Sequence, residues 1–154
     1  LKELPLNFSL TIVGSGPDRI YLEGLTRGLD LEDRVNFIAE VKITPEFYRS
    51  HDILILTSRY EGFGLVLLEA LASGIDVLSF DCNFGPRAIL EKLNIRDSII
   101  PLGDASSFRQ RLEELSTNIL TNQERKRRHD IIRKEYSPEV ILKRHVNLYE
   151  DLSS

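Results

Sequence analysis

The sequence predicts an α/β fold: a doubly wound parallel sheet of about five strands, followed by a C-terminal helical tail. Three observations predict it. Short apolar runs alternate with segments of helical periodicity through the first two thirds of the chain. The connections between those runs are of helix size, as crossovers between parallel strands must be. The last third loses the strand pattern and reads as three helices with polar faces.

Each element can be justified in order. Phe8 to Val13 reads as a strand ending in Gly14-Ser15-Gly16-Pro17-Asp18. Ile20, Leu22, Leu25 and Leu29 recur near helical spacing from Pro17 to Leu29, with Pro17 in the first turn. Arg34 to Ile38 is a second strand. Thr44-Pro45-Glu46-Phe47-Tyr48 opens a short helix with Thr44 as N-cap. Ile53 to Thr57 is a continuous apolar run, as a central parallel strand should be. Gly64 to Ser73 is helical and Gly74 stops it. Val77 to Phe80 is a strand and Pro86 to Leu93 a helix. Ser98 to Leu102 is the last strand, weakened by Pro101. The tail helices are Asp104 to Leu120, Asn122 to Glu135 and Pro138 to Leu152, with Asp104 and Ser137 as expected caps.

Composition narrows the function classes. A chain of 154 residues is one domain or two small ones. With 42% hydrophobic and 29% charged residues it is an ordinary globular chain, which excludes wholesale disorder. No apolar run approaches the length of a membrane-spanning helix. Lys and Arg number 20 against 24 Asp and Glu, a net charge of −4 that speaks against nucleic acid as partner. The one cysteine, Cys82, permits no internal disulfide. The chain holds no Met and starts at Leu1, so we expect an excised fragment or a processed domain, with residues 1–120 as core and 121–154 as tail.

In open parallel sheets, ligands bind beyond the carboxyl ends of the strands. Four loops lie there: Gly14 to Pro17, Ala39 to Lys42, Ser58 to Gly64 and Asp81 to Arg87. The third runs from an apolar strand through Glu61-Gly62-Phe63-Gly64 into a helix. Its free amides near Phe63, Gly64 and Leu65 form a site suited to a phosphate; a loop whose glycines only shape a turn reads equally well on spacing alone. The helix that follows, Leu65 to Ala72, is apolar on every side except Glu69. A helix apolar all round is expected to be buried, and a carboxylate inside it is costly without partners. We favour ligand hydroxyls as those partners over an ion pair with Arg59 or Arg87, or over a side chain that reaches solvent.

Glu61 to Gly74 as a block (EGFGLVLLEALASG) resembles the E-x7-E signature of family-4 retaining glycosyltransferases, which are GT-B enzymes with two Rossmann-like domains facing across a cleft. The resemblance extends over Leu10 to Pro17, Arg34 to Ile38, Ser50 to Ser58, Gly85 to Leu90 and Gly103-Asp104, in order, across about residues 8 to 120. It implies a Rossmann-like C-terminal domain that holds a nucleoside diphosphate sugar, with UDP the first expectation for the nucleotide and no separate cofactor. By position, Glu61 is the catalytic candidate on the donor-sugar hydroxyls. Gly62 and the amides of Phe63, Gly64 and Leu65 take the diphosphate, Glu69 the ribose, Ile38, Ala39 and Val41 the base, and Gly14 and Gly16 the crevice beside the diphosphate. Arg59 and Arg87 supply charge.

The sequence departs from the family at Ala39 (usually Gly), Asp76 (usually Pro) and Ala88 (often Glu). The family's preceding strand with its Arg and Lys, and its N-terminal acceptor domain, would lie before Leu1. The reaction implied is sugar transfer with retention to a glycan or lipid-linked glycan, as in polysaccharide biosynthesis, with the isolated half expected to be inactive. A cytoplasmic place, at the inner face of the membrane, goes with that reaction. No metal site is expected: His51, His129 and His145 are scattered. The run Arg125-Lys126-Arg127-Arg128 reads as a solvated helix face in preference to a lipid-binding patch. Two rivals are another GT-B enzyme, such as a nucleotide-sugar epimerase, and a non-catalytic interaction module on the same fold. A dinucleotide dehydrogenase is disfavoured because Gly14 to Arg19 lacks the third glycine of the fingerprint.

Overall fold

The structure, a computed structural model, describes residues 8–82, 84–118 and 120–152. Its contacts divide the chain into two compact units, Leu1–Ile43 and Thr44–Ser154. Five strands are found among the described residues, each where an apolar run predicts it, and all pair in parallel.

The first unit is a single β-α-β turn. Strand β1 (Leu10–Val13) and strand β2 (Val35–Ile38) pair with Leu10 opposite Val35 and Val13 opposite Ile38. Helix α1 (Arg19–Gly28) connects them. Pro17 lies in the turn ahead of α1, so the helix starts two residues later than the proline suggests. After α1 the chain turns through Asp30 in left-handed backbone and buries Leu31.

The second unit carries the main core. Its strands run in the order β3 (Ile53–Leu56), β4 (Asp76–Asp81), β5 (Ile99–Pro101). Within this ladder β4 takes the central place, and Ile53 to Leu56 of β3 are half-buried. Helix α2 (Pro45–Arg49) precedes β3, with the Phe47 amide donating to the Thr44 hydroxyl at 3.3 Å as the N-cap reading requires. Helix α3 (Leu65–Ala72) joins β3 to β4 and ends where Gly74 turns left-handed. Helix α4 (Pro86–Lys92) leads through a short 3₁₀ turn to β5. Helix α5 (Ala105–Thr117) is capped by Asp104, whose carboxylate accepts from the Ser107 amide at 3.0 Å. Helices α6 (Asn122–Tyr136) and α7 (Pro138–Leu152) follow.

Both faces of β4 are covered. Successive side chains of a strand alternate faces, and Val77, Leu78 and Ser79 are all fully buried. Val77 joins Leu67, Leu71, Ile89, Leu90 and Leu93 in one apolar cluster. On the opposite face Phe80 meets Phe108 of α5 with ring centroids 4.7 Å apart. Burying each such leucine or isoleucine contributes about 1.5–3 kcal/mol, so this cluster is the main source of the unit's stability.

The basic run on α6 is only in part the solvated face expected: Lys126 and Arg127 are exposed, while Arg125 and Arg128 turn toward the body. Arg128 is buried and pairs with Asp76 at 2.9 Å and with Glu124 at 3.1 Å. Arg125 donates to the Gly74 carbonyl, and Arg127 to the Leu93 carbonyl at 2.7 Å. Ile132 adds an apolar anchor to the core cluster. The helix is therefore bound to the body by side chains that read as polar. Asp76, one of the departures from the family pattern, is half of the buried ion pair that binds it. No described helix is long and apolar enough to cross a membrane.

Candidate functional site

The loop after β3 enters α3 through Gly64, which stands in left-handed backbone at φ +81°. That conformation suits glycine and turns the chain sharply enough for the helix to begin at Leu65. No side chain caps α3. The first turn is instead tightened by the Leu67 amide donating to the Gly64 carbonyl at 2.9 Å. The N-terminus of α3 thus keeps an electropositive end with no carboxylate or hydroxyl of its own upon it.

A second loop holds this junction in place. Gly85, at φ +76°, stands so close to the preceding loop that an added Cβ would lie 2.4 Å from the Phe63 carbonyl oxygen. Only a residue without a side chain permits that approach. The Phe63 ring meets the Tyr136 ring of α6 edge-on, with centroids 6.0 Å apart. Phe63 is therefore supported on its backbone by Gly85 and on its ring by Tyr136.

Helix α3 corrects one expectation. Leu67, Leu68, Ala70 and Leu71 point into the core, but Leu65 and Val66 are 62% and 39% exposed and Glu69 is exposed beside them. Positions 65, 66 and 69 fall on one side of a helix, so α3 has an open face despite its apolar composition, and the Glu69 carboxylate is not buried. Its partner is neither Arg59 nor Arg87. The Tyr48 hydroxyl of α2 donates to Glu69 Oε2 at 2.7 Å. Burial, reinforced by this hydrogen bond and the Glu69 charge, raises the Tyr48 phenol well above its ordinary range.

The remaining candidates sit as follows. Arg87 is held by Asp81 and, at 3.4 Å, by Glu91; it lines a cavity of about 180 Å³ with those two residues, Arg96, Ile99 and Pro101. Arg59 is exposed and makes no ion pair with a described residue. Glu61 is half-buried at the end of its loop. Burial raises the Cys82 thiol, and the charges of Glu61 and Asp81 raise it further, which fits an inert cysteine. Asn83, within the fourth loop, and the His145 side chain lie outside the described residues. Among the described residues no three His, Cys, Asp or Glu side chains gather into a metal-holding group.

Gly14, Gly16, Ile38, Ala39 and Val41 belong to the first unit. Gly14, at φ +152°, donates its amide to the Ile38 carbonyl at 2.8 Å, which brings the glycine loop to the end of β2. Arg19 joins the two loops more firmly. Its guanidinium donates to the Phe37 carbonyl at 3.3 Å and the Gly14 carbonyl at 3.4 Å, and it lies 5.7 Å from the Phe37 ring centroid. A cleft of about 200 Å³ opens there between Gly14, Gly16, Arg19, Leu22 and Phe37. Sequence reading missed Arg19, Tyr48, Gly85 and Tyr136. Only Gly85 carried a signal, its place ahead of Pro86 at a helix start; the others act through contacts that no spacing announces.

Comparison with known proteins bears on the whole chain. The family model described as "Glycosyl transferases group 1" matches residues 1–137. The lipopolysaccharide 1,6-galactosyltransferase of Salmonella typhimurium is 32% identical over 129 residues, 81% of this chain and 34% of that protein. Among solved structures, a mutant of S. aureus TarM in complex with fondaparinux, α-GlcNAc-glycerol and UDP superposes with a TM-score of 0.81 at 24% identity, over 92% of this chain and 29% of that one. The C-terminal domain of a glycosyl transferase group 1 family protein (LpcC) from Francisella tularensis superposes with a TM-score of 0.68 at 23% identity, over 89% of this chain and 73% of that one. The chain spans about a sixth to a third of the length of the curated relatives that it matches.

Proposed function

Because this chain belongs to the group 1 glycosyl transferases, we propose that it is the donor-binding half of a retaining glycosyltransferase of the family-4 type. The observation that carries this reading is the junction at Gly64: an uncapped helix N-terminus flanked by Glu61 on the loop and by an exposed Glu69 one turn along the helix. Glu61 and Glu69 are the two ends of the E-x7-E pattern.

In this reading the amides of Phe63, Gly64 and Leu65 hold the diphosphate, Glu69 the ribose hydroxyls, and Glu61 the donor sugar. The family pattern further assigns Gly14 and Gly16 to the diphosphate and Ile38, Ala39 and Val41 to the base. During transfer the bond from the anomeric carbon to the diphosphate oxygen breaks, the acceptor hydroxyl oxygen takes its place on the same face of the sugar, and the hydroxyl proton leaves with the departing diphosphate. Negative charge grows on the departing diphosphate, where the α3 N-terminus stabilises it. UDP is the first choice of nucleotide. The acceptor, a glycan or lipid-linked glycan, and a cytoplasmic location at the inner membrane face belong to the complete enzyme. An N-terminal acceptor-binding domain would supply the other wall of the cleft, so the chain alone is expected to bind donor without turning it over.

The test is an NMR titration of the labelled chain with UDP, GDP, ADP and NAD, repeated on Glu69→Ala. The expected result is saturable shifts at Phe63 to Leu65 with one diphosphate, weakened in the variant. Shifts with NAD alone, or identical shifts in the variant, would overturn the assignment.

A further inference from the structure

Glu69 is an exposed carboxylate on a helix, and such side chains ordinarily sample several rotamers. Here one oxygen is fixed. Tyr48 is only 7% exposed, its ring packs within the core cluster, and its hydroxyl lies 2.7 Å from Glu69 Oε2. The phenol stands at the edge of that cluster with its polar tip directed at α3. Helix α2, which carries it, is anchored at its start by the Thr44 cap and along its length by packing against α3. The donor is thus rigid and the acceptor would otherwise be free. A phenol raised above its ordinary range remains protonated at any physiological pH, so it can serve Glu69 as a standing donor.

We propose that Tyr48 is a positioning residue for Glu69. Its hydroxyl occupies Oε2 and leaves Oε1 to accept from the ribose 2′-hydroxyl of a nucleoside diphosphate. The inference rests on the donor-site reading above and adds the device that makes Glu69 selective. Hydrogen bonds to a charged group are strong, and a carboxylate held in place loses less freedom on binding. Tyr48 therefore governs discrimination between ribose and deoxyribose, and does not itself touch the ligand. A purely structural tie between α2 and α3 makes no such distinction between ligands.

The experiment measures affinities by calorimetry for UDP, GDP and ADP, then for the 2′-deoxy counterpart of whichever binds tightest. The parent chain is expected to prefer the ribonucleotide by about tenfold. Tyr48→Phe keeps the ring and its packing and removes only the hydroxyl. It should lower that preference to about twofold while leaving the deoxynucleotide affinity unchanged. Adding Tyr48→Phe to Glu69→Ala should change nothing further, and circular dichroism checks that each variant is folded. Equal weakening of both nucleotides, or an unaltered preference, overturns the role of Tyr48 and leaves the donor site standing. A parent chain that binds both nucleotides equally removes the ribose role of Glu69, and one that binds none of the three diphosphates removes the donor site. In either case the role of Tyr48 falls with it.

Discussion

Replacing Arg128 by Met tests how α6 is held. Arg128 and Asp76 have side chains 9% and 8% exposed and pair at 2.9 Å. Methionine matches the length of the arginine stem, so the change removes the charge with little loss of packing. It leaves the Asp76 carboxylate buried at the start of β4 with no cation beside it. Breaking a buried pair in this way costs about 3–5 kcal/mol, because the remaining charge has lost both water and partner. For a chain of this size that lowers the melting temperature by about 10 °C. The assay is thermal and urea unfolding followed by far-ultraviolet circular dichroism, with Arg133→Met, an exposed arginine on the same helix, as control within about 0.5 kcal/mol of the parent. The double variant Asp76→Val, Arg128→Met should recover to within about 1 kcal/mol of the parent, since an apolar pair of similar volume replaces a buried ion pair with little net cost. An Arg128→Met midpoint within about 1 kcal/mol of the parent would refute the reasoning, for Asp76 would then have to be solvated.

Three other outcomes follow from the geometry. Gly85→Ala puts a Cβ 2.4 Å from the Phe63 carbonyl at a left-handed position; we expect at least about 2 kcal/mol of destabilisation and weaker UDP-induced shifts at Phe63 to Leu65, read by melting and NMR. The Glu124 carboxylate is drawn down to about 2, first by its hydrogen bond from Arg127 and then by Arg128. Its folded value lies below its unfolded one, so its contribution is complete above about pH 4.5 and disappears as pH falls toward 2; urea midpoints across pH 5 to 2 should fall more steeply in the parent than in Glu124→Gln. The Cys82 thiol, buried and raised, should resist a disulfide reagent at pH 8 in the folded chain and react once urea unfolds it.

The strands were legible because each apolar run is bounded by loop residues, and a parallel sheet buried on both faces needs such runs. Val77 to Phe80 shows this well: four residues, two faces, both covered. The caps at Thr44 and Asp104 were legible for an equally local reason, since a cap acts three residues along the chain. What failed was inference from composition to exposure. Leu65 and Val66 are apolar yet outward, because the phase of α3 is set by Leu67, Leu68 and Leu71 seeking the core, and the first-turn residues go where that phase leaves them. Arg125 and Arg128 are charged yet inward, because their acceptors at Gly74 and Asp76 lie 51 and 52 residues away in sequence. In the candidate site, Glu61 to Glu69 could be read directly as one contiguous block. Its supports from Tyr48 and Tyr136 could not, since each arrives from a different element, and Gly85 was marked only by its place ahead of Pro86.

The bond from Arg125 to the Gly74 carbonyl has an electrical consequence for α3. A short helix is a dipole with opposite partial charges at ends about 12 Å apart, and the field at either end is diminished by the pole at the other. Arg125 places a full positive charge on the carbonyl just past the C-terminal pole. The negative pole is thereby offset, while the positive pole has no side-chain cap. The field at the Gly64 end is therefore less diminished by the far pole than it would be in the same helix without Arg125. The arginine responsible lies 61 residues beyond Gly64 along the chain, on the helix whose Tyr136 also meets the Phe63 ring.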